Sequence, residues 1–416
     1  MDLNQIEAEQ NRGICVSEEK NEIINNDIKV FFPIYYEYAH NFLKETIDNP
    51  PKNCIYITRK GKLNDLYNSY YGSHLSRKLI DKLYKFPSFF VSPTYLKTFI
   101  EKNENVFDAD LIYAVANFYL GDLPWVIDCE DARSFYRGYE KLFVLHKHQI
   151  EKILSKKNCK KILPWTEKAK ESILVNYNIT DIRDKIEVVP ITIKSKPINF
   201  KKNYEQIIFL FVGSSNIQFK KDFYYKGGLE TIRAFQKISP KYDNISLIIR
   251  SHVDQKIQAI VNKSEKMHLI NSILPRYKLE KLYSNSSVFV FPTFASPAMV
   301  FVEAMNYSLP IITTNYWANS EYVKDNYNGF LVDMPVTVKR KDKILCTLSY
   351  NRNIGYHEVD ENQIKQISKR MKYFIENPKD IGRMGKNSKK MVEIGKYSIK
   401  RKNQNLKRIY EECLKK

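Results

Sequence analysis

The chain has no apolar run of about eighteen residues, the length a membrane-crossing helix needs. The nearest candidate, residues 288–305, is broken by Pro292, Pro297 and Glu303, so it does not read as a spanning helix. An apolar h-region is missing from the N-terminus, where Asp2, Glu7 and Glu9 stand among the first residues. It therefore does not read as a secretory signal, and a cytoplasmic address is the default expectation. None of the six cysteines (Cys15, Cys54, Cys129, Cys159, Cys346, Cys413) is paired at C-x2-C spacing. Scattered in this way they are expected to be free, partly buried thiols, and neither a metal site nor a bound cofactor is expected.

What is present is apolar surface for a large core: 43% hydrophobic and 13% aromatic residues in 416, a length that suggests two or three domains. The formal net charge of +20 attracts polyanions, which admits nucleic acid, an anionic membrane or phosphorylated substrates. Lys, Asn, Ile and Tyr are abundant together, a pattern that codon bias alone can produce. Basic residues concentrate in 386–416, where Lys386, Lys389, Lys390, Lys396, Lys400, Arg401, Lys402, Lys407, Arg408, Lys415 and Lys416 face only Glu393, Glu411 and Glu412. Such a helix can rest on an anionic membrane or present a solvated face.

Residues 1–27 read as a loose lead-in. From Ile28, strands at 28–34, 54–58, 89–92, 111–115 and 124–128 alternate with helical stretches at 38–47 and 77–84. A helix to about Leu154, a strand at 160–164, a helix at 167–175 capped by Thr166 and a strand at 185–191 follow. The polar segment 194–206 separates this series from a second, giving an N-terminal domain over 28–197 and a C-terminal domain over 198–397. The second series opens with IIFLFVG (207–213), a continuous apolar run of the kind buried on both faces of a parallel sheet. Helix 226–238, strand 245–250, helix 253–262, strand 267–270, helix 278–284, strand 287–292, helix 297–307, strand 310–314, helix 319–324 and strand 329–333 follow it. This alternation predicts α/β architecture: two Rossmann-like, doubly wound domains facing across a cleft. The last helices, from about Gln363, have no strand partners and either pack outside or cross back; the one over about 398–416 is the candidate to return to the first domain.

Ligands of such sheets bind at the carboxyl ends of the strands. The first strand of the second domain ends at Gly213, and a loop leads to Lys226-Gly227-Gly228, where glycine admits close backbone approach and Lys226 offers a point charge for a phosphate, unless this is a flexible turn with a surface lysine. After VFVFP, Ser296 stands at an N-cap position and Pro297 at the first turn, so the amino end of the helix over 297–307, at Ser296, Pro297 and Ala298, offers free N–H groups suited to a pyrophosphate. Glu303 lies about two turns into that apolar helix and must find donors, either sugar hydroxyls or a salt-bridge neighbour.

The order FLFVG…DFYYKGGLETIRAFQKI, LPRYKLEKLYSNSSVFVFPT and FVEAMNYSLPIITTNYWANSEYVKDNYNGFLV resembles the glycosyl transferases group 1 family, retaining enzymes of GT-B type that include glycogen synthase-like and mannosyl transferases. The likeness covers about 207–335 and continues through ENPKDIGRMGKNSKKMVEIGKYSIK. It implies that Lys226 holds the donor's pyrophosphate and that Glu303, second glutamate of the Glu-x7-Glu motif, hydrogen-bonds the ribose. It also implies that Leu274 and Pro275 lie where backbone meets the nucleobase, and that Glu321 and Gly329 are mainly structural. The first motif glutamate is replaced by Ala295, and the arginine after Gly213 by Ser214, with Lys220, Lys221 or Arg250 as candidates to restore the charge. In the first domain GDLPWVIDCEDA (121–132) falls where the family has a histidine near the sugar. Glu130 stands in its place, with Asp128 and Asp131 beside it. These acids either orient the acceptor and stabilise an oxocarbenium-like transition state or offset a helix dipole over 131–136.

The resulting expectation is a hexosyltransferase-type glycosyltransferase that moves a sugar from a nucleoside diphosphate sugar to a glycan, lipid or polysaccharide-precursor acceptor, with peripheral contact to an anionic membrane admitted; retention of anomeric configuration is implied by the resemblance alone. The rival is a catalytically inactive GT-B relative acting as a binding or scaffold subunit, favoured by Ala295 and Ser214. Nucleic-acid binding through the basic surface is not expected.

Overall fold

The computed structural model describes residues 27–59, 108–115, 117–136, 143–178, 180, 182–197, 204–214, 222–294, 298–334 and 359–415. The expected strand at 89–92, the helix at 77–84, Lys220, Lys221 and the stretch 295–297 with Ser296 and Pro297 lie outside the described residues.

The first series of elements is β1 (Ile28–Tyr35), α1 (Asn41–Ile47), β2 (Cys54–Arg59), β3 (Leu111–Val115), β4 (Trp125–Cys129), α2 (Phe143–Leu154), β5 (Cys159–Pro164) and α3 (Glu167–Asn176). The second opens with β6 (Ile207–Val212), α4 (Asp222–Tyr225), α5 (Gly228–Ile238), β7 (Ile245–Arg250), α6 (Gln255–Val261), β8 (Met267–Ile270) and α7 (Arg276–Asn285). It continues with β9 (Val288–Val290), α8 (Ala298–Asn306), β10 (Ile311–Thr314), α9 (Asn319–Tyr322) and β11 (Gly329–Val332). Three helices close the chain: α10 (Glu361–Glu376), α11 (Pro378–Glu393) and α12 (Ile399–Leu414).

The chain divides into two compact units. One comprises Met1–Trp165, Ala169–Val189 and Lys402–Lys416; the other comprises Thr166–Lys168 and Pro190–Arg401. The change of unit thus falls at Pro190, ahead of the polar segment where the sequence draws it.

In the first unit the described strands form a parallel sheet in the order β2-β1-β3-β4-β5. Strands β3 and β4 are buried almost throughout, as both faces of a parallel sheet require. Val30, Phe32, Tyr56, Tyr113 and Val126 form one core with Leu406, Ile409, Tyr410 and Cys413 of α12. The hydroxyls of Tyr56 and Tyr410 meet inside it at 2.8 Å, satisfying each other where water is excluded. The four described cysteines are buried free thiols. The expected strand at 185–191 is not one. Residues 186–189 follow β5 through two bonds, from Glu187 N to Ile162 O (3.0 Å) and from Val189 N to Pro164 O (2.9 Å). Pro164 and Pro190 lack the N–H groups that further rungs need.

The second unit holds a six-stranded parallel sheet, β11-β10-β9-β6-β7-β8. Counted within the unit this is the 3-2-1-4-5-6 order of the dinucleotide-binding fold, with its reversal between β6 and β9. Helix α10 begins at Asp360, whose side chain accepts from the amides of Asn362 and Gln363, and it packs on α5. The expected helix 226–238 is α5, which starts at Gly228, and the short helix α4 stands ahead of it in what the sequence reads as a loop. Gly227 between them has φ 76°, and a Cβ there would lie 2.4 Å from the Pro292 carbonyl oxygen, so the chain turns there and α5 begins only after it.

Candidate functional site

Where strand order reverses, the loops leaving neighbouring strands diverge and open a crevice at their carboxyl ends. In the second unit those strands are β6, followed by Gly213 and Ser214, and β9, leading into Pro292–Phe294. The turn that carries Lys226 and Gly227 is fastened to the second of these loops, because Phe294 N donates to Tyr225 O at 2.9 Å. Lys226 therefore stands beside the loop that enters α8, its ammonium 3.6 Å from Asp222. Burial raises the Asp222 carboxyl above its ordinary range, and Lys226 opposes that shift. Gly213 and Ser214 are tied to the end of β7: Gly213 N donates to Arg250 O (2.8 Å), and His252 N and Ser251 Oγ donate to Ser214 O (2.6 and 3.1 Å). The ends of β9 and β10 are locked by Asn319, whose amide donates to Thr293 O and to Thr314 O and Oγ1.

Glu303, on α8, is 4% exposed. Of the two sets of donors open to it from sequence, the structure supplies a salt bridge: Arg276 Nη1 pairs with Oε1, and Tyr283 OH donates to Oε2 at 3.1 Å. Arg276 also reaches Glu280 through Nε at 2.8 Å, and Lys196 holds the same Glu280 oxygen at 2.6 Å. Arg276, Glu280 and Tyr283 recur at i, i+4 and i+7, one face of α7. Neither Arg276 nor Tyr283 was singled out from the sequence, although that spacing next to Leu274 and Pro275 was the available signal. Pro275 is the N-cap residue of α7, with its carbonyl accepting from Lys278 and Leu279; it is exposed, and Leu274 is half-buried. Burial pushes the Tyr283 hydroxyl well above its usual pKa, and Glu303 beside it pushes the same way.

Arg250 ends β7 and is 8% exposed. Its Nη1 donates to Gly213 O at 3.2 Å, and its Nε has no hydrogen-bond partner. Glu321 accepts from Lys396 Nζ (3.0 Å) and from the amides of Glu167 and Lys168 (3.0 Å each), which belong to the same unit. The α-carbon of Gly329 lies against β10, where a Cβ would come 2.0 Å from Ile311 O.

In the first unit Asp128 and Glu130 sit at the carboxyl end of β4. Asp128 is 4% exposed, accepts from Trp165 Nε1 at 3.4 Å and feels the charge of Lys402. Burial, only partly offset by Trp165 and Lys402, raises its pKa to about 7. Burial lowers the Lys402 amine to about 8, and that amine donates to Thr46 Oγ1 at 2.6 Å. Asp131 caps the single 3-10 turn Ala132–Phe135 by accepting from Arg133 N, with Ser134 completing a capping box. Glu130 is half-buried, and its amide donates to Ser134 Oγ at 3.0 Å. The basic C-terminal stretch is less free than its composition suggests. Lys389 and Lys402 are buried, while Lys396, Lys407 and Arg408 stand in ion pairs. Among the described residues no helix is long and apolar enough to cross a membrane, and no group of three or more His, Cys, Asp or Glu is placed to hold a metal ion.

The pair of parallel sheets with helical crossovers is the GT-B type of architecture. A glycosyltransferase from Rickettsia africae ESF-5 superposes with a TM-score of 0.56 at 13% identity, covering 94% of this chain and 99% of the other. WaaG, a glycosyltransferase involved in lipopolysaccharide biosynthesis, gives 0.52 at 14% identity, with 91% and 99% covered. The Anabaena protein HepE in complex with UDP-glucose gives 0.55 at 11%, with 92% and 100% covered. At these identities the likeness concerns the fold. In sequence, residues 193–349 match the family described as Glycosyl transferases group 1. CapM of Staphylococcus aureus, a capsular polysaccharide biosynthesis glycosyltransferase, is 27% identical over 141 residues. That alignment spans 32% of this chain and 37% of CapM, little more than a third of the relative.

Proposed function

We propose that this protein is a glycosyltransferase that moves a hexose from a nucleoside diphosphate sugar to a glycan or lipid-linked acceptor in polysaccharide assembly, with retention of anomeric configuration. The observation that carries the reading is the strand-order reversal of the second unit, between β6 and β9. There the Lys226–Gly227 turn is fastened to the loop that enters α8, inside the segment that matches the group 1 family. HepE in complex with UDP-glucose and CapM in capsular polysaccharide biosynthesis support the donor and acceptor classes.

The chemistry asked of these residues is charge placement. A departing diphosphate gains negative charge as the glycosidic bond breaks. Lys226 and the first-turn amides of α8 stabilise that charge more than they stabilise the intact donor. The Glu303 carboxylate has about four acceptor positions, of which Arg276 and Tyr283 occupy two, leaving acceptor capacity for vicinal ribose hydroxyls. In the first unit Glu130, partly open, is the acceptor-side carboxylate of this proposal. Asp128, buried against Trp165 and Lys402, secures the end of β4.

The test is to incubate the purified chain with radiolabelled UDP-, GDP- and ADP-hexoses and candidate lipid-linked and oligosaccharide acceptors, and to follow nucleotide release and label transfer. Transfer from one donor class, with an NMR coupling constant showing the donor's own anomeric configuration in the product, is expected. Tight nucleotide binding without transfer to any acceptor would sink the enzymatic reading.

A further inference from the structure

Five charged side chains gather between the ends of β7, α7 and α8 in the second unit. Glu303 is held by Arg276, and Glu280 by Arg276 and Lys196. Against these two carboxylates stand three cations, because Arg250 feels Glu303 and Tyr283 electrostatically without forming a salt bridge to any described residue. The surplus positive charge resides on Arg250. Its side chain is more than nine-tenths buried, one nitrogen is bonded to the Gly213 carbonyl, and Nε has no acceptor. Burying a guanidinium with an orphan N–H and no carboxylate is unfavourable unless an anion completes it. Its position tells where that anion sits. Gly213 and Ser214 follow β6 at the reversal point, and the hydrogen bonds from Gly213 N, His252 N and Ser251 Oγ hold this edge against the end of β7.

The geometry points to Arg250 as a second diphosphate-binding cation, acting with Lys226 on the phosphates of a nucleoside diphosphate at this crevice. The assignment rests on the nucleotide-sugar reading of the same site. It gives a role to a position where the resemblance predicts no such contact, and it restores from β7 the positive charge that Ser214 does not provide from the end of β6. A guanidinium offers a planar fork that can bond two phosphate oxygens at once, so lysine is not its equivalent. Burial lowers the Arg250 pKa from its ordinary value, Tyr283 and Glu303 oppose that shift, and the group stays charged at neutral pH.

The experiment compares wild type, Arg250→Gln and Arg250→Lys. In wild type, UDP, GDP and ADP are titrated by calorimetry to find the tightest. That nucleotide and its own nucleoside are then titrated into each variant, the nucleoside by ligand-observed NMR. Arg250→Gln is expected to weaken the diphosphate by roughly 10- to 100-fold and to leave the nucleoside unchanged, with Arg250→Lys between. Equal losses for both ligands, or no loss for either, would overturn the assignment, since a purely structural arginine does not distinguish them. Should Arg250→Gln not fold, Arg250→Lys carries the same comparison, joined by the Arg250 Nε–H resonance of wild type. That resonance must shift on addition of inorganic pyrophosphate, and an unmoved signal refutes the contact. A wild type that binds none of the three nucleotides defeats the nucleotide-sugar reading itself. One that binds a nucleotide indifferently to Arg250 defeats only this assignment.

Discussion

At the carboxyl end of β4 in the first unit, the buried Asp128 is matched by one buried cation, Lys402 of α12, and by the Trp165 indole. At the carboxyl ends of β7 and α8 in the second unit, two carboxylates face three cations, and Arg250 keeps an orphan N–H. The strand order differs as well: 2-1-3-4-5 among the described strands of one sheet against 3-2-1-4-5-6 in the other. A buried charge that is balanced one to one fastens a helix to a sheet. A buried charge in surplus leaves room for a ligand to supply the balance. The comparison therefore assigns scaffolding to the first cluster and ligand binding to the second, and each assignment can be broken separately.

The largest effect is expected at Lys226. Its replacement by Ala removes a preorganised cation from the developing diphosphate charge and should lower turnover about a hundredfold or more, while the melting temperature changes little. Turnover within a few-fold of wild type would remove Lys226 from the chemistry and leave the crevice without its main argument.

Next is Arg276→Met, which strips Glu303 of its ionic partner and leaves a buried carboxylate with Tyr283 alone. Removing one member of a buried pair costs about 3–5 kcal/mol, and partial exposure of Arg276 places the expected loss nearer ~2–3 kcal/mol in urea unfolding. The double variant with Glu303→Gln should recover much of it. A double variant clearly more stable than Arg276→Met alone shows the coupling; losses that simply add would show that the cluster is not a unit.

The balanced pair of the first unit is read out by pH. With its folded pKa raised from 3.8 to about 7, Asp128 contributes stability that is present below the unfolded pKa and is lost as pH rises toward 7. With its pKa lowered from 10.5 to about 8, Lys402 contributes stability that is present above 10.5 and is lost as pH falls toward 8. The pair thus makes the first unit least stable between about pH 7 and 8. Asp128→Asn should flatten the acid limb of wild-type unfolding free energy, about 2 kcal/mol between pH 5 and 7.5, and Lys402→Met the alkaline limb. Parallel wild-type and Asp128→Asn curves would show that Asp128 does not titrate in this range.

Much of the fold could be read from the chain. The second sheet declares itself because each strand is a short, almost wholly apolar run bounded by polar turns, a signal that depends only on neighbours in sequence. Where that signal misleads, the cause is local geometry that apolar content does not reveal: the left-handed Gly227 delays the start of one expected helix to Gly228, and Pro190 ends ladder pairing over 185–191. The candidate site is less legible. Lys226, Gly213 and Glu303 stand out by motif order, but the partner of Glu303 lies on another helix, and the partners of Asp128 come from residues 165 and 402. A pattern of types and spacings locates a charge; what neutralises it is set by tertiary packing, which brings together residues far apart in the chain.

The smallest effect tests where the chemistry of the first unit resides. Asp131 and Glu130 are adjacent acids, and from sequence both fit either an acceptor role or a helix-end role. The structure commits the Asp131 carboxylate to the Arg133 amide and the Ser134 capping box. Replacing a capping Asp by Ala costs about 1 kcal/mol. Asp131→Ala should therefore lower stability by about that amount and leave turnover within about twofold of wild type, whereas Glu130→Gln, leaving the cap intact, should preserve stability and lower turnover about tenfold or more. The reverse pattern, with turnover lost in Asp131→Ala and kept in Glu130→Gln, would transfer the acceptor-side role to the capping residue. It would also show that an acid already bonded to the backbone can still act on a substrate, which the separation of scaffolding from ligand-binding charge does not allow.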